Sequence, residues 1–357
     1  MRYSRRHMLA ASAASLAPAA TSALRLPRKI RLGLIDVEGH LGEVLKPLPQ
    51  LPDVEVVSIA HPDAAVADRQ KKNPRLAAAR HYTDYRRMLD AEELDVVSVC
   101  NANGPRAQAI LACLEHKVHI IAEKPLALTR GDLDKIRTNL HKAGTKLSTL
   151  LPMRFSPPYL ALKQIASSGA IGEIINITAQ KSYKAGNRAP WMKKQETYGG
   201  TIPWIGIHMI DLMRFASGRE MTEAFSYRAQ IKAPPGIGEM ENTTGSVFRL
   251  DNQGVATLHM DYCRPESAPT HGDDRLRLAG TKGVLEYMAA TGVTLLEEGR
   301  QPEKIGKLPE EGAVFLDFLD HVYNAKPTAL PFSDIYQANL VTIAAQEAAV
   351  SGKVVKV

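Results

Sequence analysis

The stretch Ile30-Arg31-Leu32-Gly33-Leu34-Ile35, running straight into Asp36-Val37-Glu38-Gly39-His40-Leu41-Gly42, decides the fold. Its first six residues are nearly continuous in apolar character, which is how a strand buried on both faces reads. The next seven supply the glycines of a tight turn. Similar apolar runs recur at 54–60, 95–100, 118–122 and 146–150. Between them, apolar residues fall at helical spacing: Ala107, Ile110, Leu111 and Leu114, then Leu133, Ile136 and Leu140. Thr129, with Asp132 three positions on, marks the start of the second helix, and Gly144 its end. The alternation of strand and helix over 29–150 predicts an α/β domain built on a doubly wound parallel sheet.

From residue 151 the period changes. Strands with two-residue alternation are predicted at about 172–183, 225–232, 243–250, 254–262, 275–281, 284–288 and 292–297. Turn signals such as Asp251-Asn252-Gln253-Gly254 and Gly280-Thr281-Lys282-Gly283 separate them. Residues 151–357 therefore read as an α+β domain with a large, mostly antiparallel sheet. It closes with an amphipathic helix from Asp334 to about Val350.

The 357 residues give room for two domains, and a composition of 45% hydrophobic and 23% charged residues excludes wholesale disorder. The formal charge is +7, and 42 basic against 38 acidic side chains remain beyond residue 23. That excess is mild and unclustered, which argues against a nucleic-acid partner. No apolar run outside the Ala-rich start reaches the roughly 20 residues that span a bilayer, so no stable membrane insertion is expected. Cys100, Cys113 and Cys263 are odd in number and unpatterned, so neither a disulfide framework nor a zinc site is expected. Residues 1–23 read as an export address: Arg2, Arg5 and Arg6 precede a mildly apolar stretch and small residues, with Thr21-Ser22-Ala23 or Ala17-Pro18-Ala19 as the cleavage signal. Ser4-Arg5-Arg6-His7-Met8-Leu9 resembles the twin-arginine signal of bacteria, which implies a periplasmic or exported protein. A frayed basic terminus or an uncleaved anchor is the plainer alternative.

A doubly wound fold places a phosphate-binding glycine turn after its first strand. Here G-x-G-x-x-G is not supplied. Asp36 and Glu38 stand at the first two glycine positions in one register; in a register one residue longer, Val37, Gly39 and Gly42 take the three places. Either way two carboxylates sit near the anion site, and a charge pair about 5 Å apart at an effective dielectric of ~20 repels by roughly 3 kcal/mol. The acid expected after the second strand is also missing; His61 stands there, with Asp63 two residues on. A loop that no longer holds a dinucleotide remains an open alternative. Further along, Ala122-Glu123-Lys124-Pro125 follows the 118–122 strand. A partly buried lysine at the carboxyl end of a parallel strand faces the ligand crevice and can act as a general acid or base.

These pieces resemble the Gfo/Idh/MocA oxidoreductases, the family of glucose–fructose oxidoreductase and inositol dehydrogenase. The supporting motifs are Tyr82-Thr83-Asp84-Tyr85, Glu123-Lys124-Pro125, Arg154-Phe155, Gly199-Gly200 with His208-Met209-Ile210-Asp211, and Gly280-Thr281-Lys282-Gly283. The resemblance covers roughly residues 29–357. It implies a Rossmann-type domain holding NAD or NADP, an α+β substrate domain, and hydride exchange with a sugar or polyol carbon. It further implies Lys124 as the acid/base lysine and 199–211 as the active-site helix, with His208 at the substrate and Asp211 setting its tautomer. Cofactor contacts would come from Val37, Gly39, His40, His61, Asn101, Asn103 and Glu123. Members often form homodimers or homotetramers.

The sequence departs from the family in several places. Trp204 stands where a relay Asp is usual, and Asn101-Ala102-Asn103-Gly104-Pro105-Arg106 keeps Asn103 but lacks the family's proline and histidine. Helical spacing puts Trp204, His208, Asp211 and Phe215 on one face. On the substrate side, Arg154, Tyr183, Trp191, Trp204 and His271 can stack on or hydrogen-bond a carbohydrate. His271 and Asp273 lie in a Gly/Asp turn, and no metal is expected there. The first expectation is thus an exported NAD(P)-dependent sugar or polyol oxidoreductase. A lyase or epimerase-type enzyme on keto-sugars, using the same lysine and histidine without net redox, is the second. A non-catalytic carbohydrate-binding protein is the third.

Overall fold

The fold is that of a computed structural model, which describes residues 24–357. The proposed twin-arginine segment, 1–23, lies outside the described residues. Six parallel strands form the first sheet: β1 (Ile30–Ile35), β2 (Val54–Ala60), β3 (Arg80–Tyr82), β4 (Val96–Val99), β5 (His119–Ala122) and β6 (Leu147–Thr149). Their order, β3-β2-β1-β4-β5-β6, is the doubly wound arrangement with its switch point between β1 and β4. The three-residue β3 was not anticipated, because so short a strand carries no period. The helices here are α1 (Gly42–Leu45), α2 (Ala64–Gln70), α3 (Tyr85–Ala91), α4 (Asn103–Glu115) and α5 (Arg130–Ala143). The ends of α5 follow their local chemistry: the Thr129 side chain accepts from the Asp132 N–H, and Gly144 is left-handed at φ 69°. By contrast α1 is a single turn, cut short by Pro47 and a 3-10 turn over Leu48–Gln50.

After α6 (Pro157–Ser167) the chain builds a nine-stranded sheet. Its strands are β7 (Ile174–Lys184), β8 (Met221–Ala229), β9 (Thr243–Leu250), β10 (Val255–Arg264), β11 (Gly272–Gly280), β12 (Gly283–Met288), β13 (Gly292–Glu297), β14 (Glu303–Lys304) and β15 (Val355–Lys356). The order is β14-β13-β12-β11-β7-β10-β9-β8-β15, and only the β7–β10 pair is parallel. One face packs on α6, α8 (Ile207–Ser217) and α10 (Phe332–Ser351), whereas α7 (Gln195–Tyr198) lies against α4 and α9 (Val314–Tyr323) packs on the first sheet. The chain thus has a Rossmann-type parallel sheet followed by a larger, mostly antiparallel one. Two hydrophobic cores correspond to the two sheets. Phe315, Phe318 and Ile335, far along the chain, belong to the first core, while Val341 and Ala345 belong to the second. The C-terminal helices therefore tie the halves together.

No helix among the described residues is long and apolar enough to cross a membrane. Cys100 and Cys113 are buried free thiols, and Cys263 is an exposed one.

Candidate active site

The carboxyl ends of β1, β4 and β5 open on one crevice, and the loops that leave them carry most of the predicted site. Lys124 follows β5 directly and is fully buried. Its Nζ donates to the Trp204 carbonyl at 2.6 Å and lies 3.3 Å from the centre of the Trp204 ring. Burial pushes the Lys124 ammonium down to about 7, Arg106 and Lys181 push the same way, and Glu123 opposes them. His208, in the first turn of α8, is also buried, and its Nδ1 has no hydrogen-bond partner. Burial, reinforced by Lys124, His40 and Lys181, holds His208 well below its ordinary value, so it is a neutral imidazole at pH 7. The structure brings an amine that titrates near neutrality and an uncharged imidazole into one electrostatically coupled cluster.

Glu123 organises the loop opposite. It is fully buried, accepts from the His40 N–H at 2.7 Å and pairs with His40 Nδ1, while its other oxygen accepts from the Lys124 N–H at 2.5 Å. Although burial opposes ionisation, His40, Lys124 and Arg106 hold this carboxyl down at about 2. The His40 ring stands edge-on to His208, with centres 5.1 Å apart.

The turn after β1 keeps the shape of a glycine turn without its chemistry. Asp36 occupies the left-handed region at φ 65°, a conformation Asp tolerates better than most residues. Its carboxylate accepts from the Val37 N–H at 2.7 Å and lies 3.4 Å from His61 Nε2. Burial raises the Asp36 carboxyl, and Glu38 adds to that, against the Val37 N–H and His61. The Glu38 N–H is bonded to the Cys100 carbonyl and the Asp36 N–H to that of Ala60. The N–H groups of residues 36, 37, 38 and 40 are thus all satisfied internally. His61, expected at a ribose, meets Asp63 through Nδ1 and faces Asp36 through Nε2. These residues do not fit the usual dinucleotide grip, in which free loop N–H groups and a helix N-terminus hold the pyrophosphate.

Asn101 and Asn103 lie where β4 gives way to α4. Asn103 donates to the Tyr198 carbonyl at 2.7 Å and accepts from Arg106 at 2.8 Å. Asn101 Oδ1 is buried without a partner. Arg106, one turn after Asn103, was missed from the sequence. It is fully buried and also donates to the carbonyls of Pro125 and Asn101. Burial lowers its guanidinium to about 10, with Glu123 and Asp36 among the charges that hold it up. Its signal was its position, three residues after Asn103, where the family's histidine would stand.

Two expectations are corrected. Asp211 does not orient His208. Both its oxygens accept from Arg154, at 3.0 and 2.5 Å. Nor is Arg154 free for substrate: it also donates to Asp334 at 2.8 Å and to the Ala329 carbonyl at 3.0 Å, and the Phe215 ring lies beside its guanidinium. The predicted single helical face is broken because Ile202–Gly206 form a π-helical turn ahead of α8. Asp211 and Phe215 belong to a buried ion cluster around Arg154, and Trp204 and His208 lie with Lys124.

Trp204 is 7% exposed, so its ring caps Lys124 more than it offers an open platform. Trp191 stands edge-on to Trp204 at 5.1 Å, and its Nε1 is buried without a partner. Tyr183 on β7 lies 5.0 Å from the exposed His271 ring. Beside it is Lys181, a second residue the sequence reading left out of the site. It is fully buried and paired with Asp274 at 2.9 Å, and the strand period puts it on the face of Tyr183. Among the described residues no group of three or more His, Cys, Asp or Glu side chains is placed to hold a metal. A cleft of about 500 Å³ lined by Arg137, His141, Lys146, His321 and Phe332 opens beside the start of β6, at the opposite end of the sheet from these residues.

Residues 31–150 match the model of the oxidoreductase family with an NAD-binding Rossmann fold, and residues 159–286 match the GFO/IDH/MocA C-terminal domain. A Thermotoga maritima protein of known structure is 31% identical, with a TM-score of 0.85 over 92% of this chain and 100% of that one. The chain belongs to the Gfo/Idh/MocA oxidoreductase family. The myo-inositol 2-dehydrogenase of Thermotoga maritima is 25% identical over 75% of this chain and 79% of its own length. Levoglucosan dehydrogenase, in a complex with NADH and levoglucosan, shares the fold at 18% identity and a TM-score of 0.78, over 92% of this chain and 100% of that one. Within this Gfo/Idh/MocA chain, Glu123, Lys124 and His208 are buried in one cluster, while the turn after β1 carries Asp36 and Glu38.

Proposed function

We propose that the protein is an NAD(P)-dependent oxidoreductase acting on a CH–OH group of a sugar or polyol, with Lys124 and His208 handling the hydroxyl proton. The observation that carries this is the pairing of a buried lysine whose ammonium is brought to about 7 with a neutral histidine that has an unpartnered ring nitrogen. With its ammonium brought down to about 7, Lys124 offers a free amine far more readily than an exposed lysine, which suits a base that takes a hydroxyl proton. His208 can donate to the same oxygen or hold its proton. Tyr183, Trp191 and His271 supply aromatic surface on the second domain for a sugar ring. Oxidation of the carbon needs a two-electron acceptor, and the relatives named for inositol and levoglucosan, one of them bound to NADH, support a nicotinamide nucleotide and a polyhydroxylated substrate. The proton handling by Lys124 and His208 is the same however that acceptor is held.

The rebuilt turn favours a second reading. With Asp36 and Glu38 at the glycine positions, the same amine and imidazole could remove a proton beside the carbonyl of a keto-sugar, as a lyase or epimerase does, with no net redox. One assay separates the two. Purified protein is incubated with NAD or NADP and a panel of sugars and polyols, and absorbance of the reduced nucleotide is followed. Matching keto-sugars are incubated without nucleotide in deuterated water. Reduced nucleotide that disappears in Lys124→Met and His208→Ala supports the oxidoreductase. Deuterium uptake without nucleotide supports the second reading. Sugar binding with no turnover, unchanged in both variants, leaves a carbohydrate-binding protein.

Export through the twin-arginine route belongs to the same proposal. It expects the protein in the periplasmic fraction of a bacterial host, and its loss from that fraction in an Arg5→Lys/Arg6→Lys variant. The outer face of the nine-stranded sheet exposes Ile175, Tyr227, Val247 and Val255, which suits a homodimer or homotetramer. Light scattering measures that state directly.

A further inference from the structure

We propose that His40, fixed by Glu123, shuttles protons between the buried Lys124–His208 pair and water; this rests on the reading of that pair as the proton-handling groups. The need for such a group follows from burial. Lys124 is 0% and His208 5% exposed, so a proton taken from substrate has no direct way out. The His40 side chain is 32% exposed, and its ring lies edge-to-face with that of His208, the centres 5.1 Å apart. It is a titratable side chain that touches both the buried cluster and the crevice surface.

The loop is built to hold this ring in one orientation. Glu123 grips His40 twice with one oxygen, at the backbone N–H and at Nδ1. Its other oxygen is fixed by the Lys124 N–H. A carboxylate on Nδ1 keeps the proton there and leaves Nε2 as the nitrogen that exchanges, as in other carboxylate–imidazole dyads. Gly39 makes room for the grip: its φ is 64°, and a Cβ there would overlap Glu123 Oε1. The glycine retained in this turn therefore admits a carboxylate of the protein itself. In the proposed step, His40 Nε2 takes one proton from the His208–Lys124 pair and passes it to water, while Nδ1–H stays on Glu123. The proton count balances, and no other reactant is required. Glu123 and Gly39 are positioning residues.

The test reads the proton itself. In the full chain labelled with 15N-histidine, exchange of the His208 ring proton with water is followed by magnetisation transfer. In His40→Asn the exchange should slow by about tenfold or more, and added imidazole should restore it. Loosening of the loop would accelerate exchange, so slowing cannot come from partial unfolding. Glu123→Gln should give an intermediate slowing and remove the downfield His40 Nδ1–H resonance. Should His40→Asn fail to fold, the partly exposed position allows His40→Gln to replace it. An exchange rate unchanged or faster in the folded His40 variant overturns the proposal. Because this readout uses no substrate, absence of sugar turnover would overturn the oxidoreductase reading separately.

Discussion

A charge on Lys124 carries a cost. Burial lowers its ammonium from 10.5 to about 7, so in the folded chain it gives up its proton where the unfolded chain still holds one. Below pH 7 both states are protonated and the folded state bears the whole desolvation penalty. Between pH 7 and 10.5 the unfolded state binds more protons, and stability gained from this group rises with pH. Lys124→Met is therefore expected to stabilise the fold by about 2–3 kcal/mol at pH 6, after allowance for the cation that Glu123 loses, and to abolish turnover. Thermal melts at pH 6 and pH 9 check this: the gain in Tm should shrink at the higher pH. Turnover by the native chain should rise as pH passes through about 7, where the amine becomes free. Asp36 and Glu38 make a second prediction at this scale. Replacing both with glycine removes two charges from the anion site and should raise the affinity for NAD or NADP by on the order of tenfold or more, read by titration calorimetry.

Among the elements, the junction of α4 with α7 shapes the crevice wall. A Cβ at Gly104 would lie 2.5 Å from the Glu196 carbonyl oxygen, a backbone atom that cannot swing aside. Gly104→Ala should therefore push α7 away from the start of α4. A loss of about 1–3 kcal/mol is expected in a urea titration. The shift would also disturb the bond from Asn103 to the Tyr198 carbonyl, so binding of any ligand in the crevice should weaken with it. The π-helical turn at Ile202–Gly206 is a second device of this kind. It lies just before α8 and presents the Trp204 carbonyl to Lys124. Helical spacing alone did not reveal it, because the apolar pattern of Ile202, Ile205 and Met209 suits a continuous helix equally well.

Across the whole molecule, the Arg154–Asp211–Asp334 cluster joins the segment after β6, helix α8 and helix α10. Arg154 and Asp211 are each 1% exposed. Removing Asp211 leaves the buried Arg154 guanidinium with only the partly exposed Asp334 as counter-charge, at a cost of up to about 3–5 kcal/mol. Asp211→Ala should lower stability by that amount in a denaturant titration. At a temperature where the variant stays folded, the His208 ring should titrate as in the native chain, since Asp211 does not touch it. A change in His208 titration would return Asp211 to the active site.

The longer strands of both sheets, though not the short β3, β14 and β15, the caps of α5 and the position of Lys124 at the end of a parallel strand were legible in the sequence. They rest on period, sterics and hydrogen bonds within a few residues, which the local sequence determines. The rebuilt glycine turn was legible too, since Asp36 and Glu38 stand in it. Only the tertiary structure decided which partner each buried charge takes. Asp211 meets Arg154 from 57 positions away, and Glu123 reaches His40 across 83. Such pairings depend on which strand ends the topology brings together, and a buried ion takes the counter-charge that lies nearest once water is gone. Arg106 and Lys181 escaped notice for that reason: in the sequence they are ordinary basic residues, and only burial makes them part of the site.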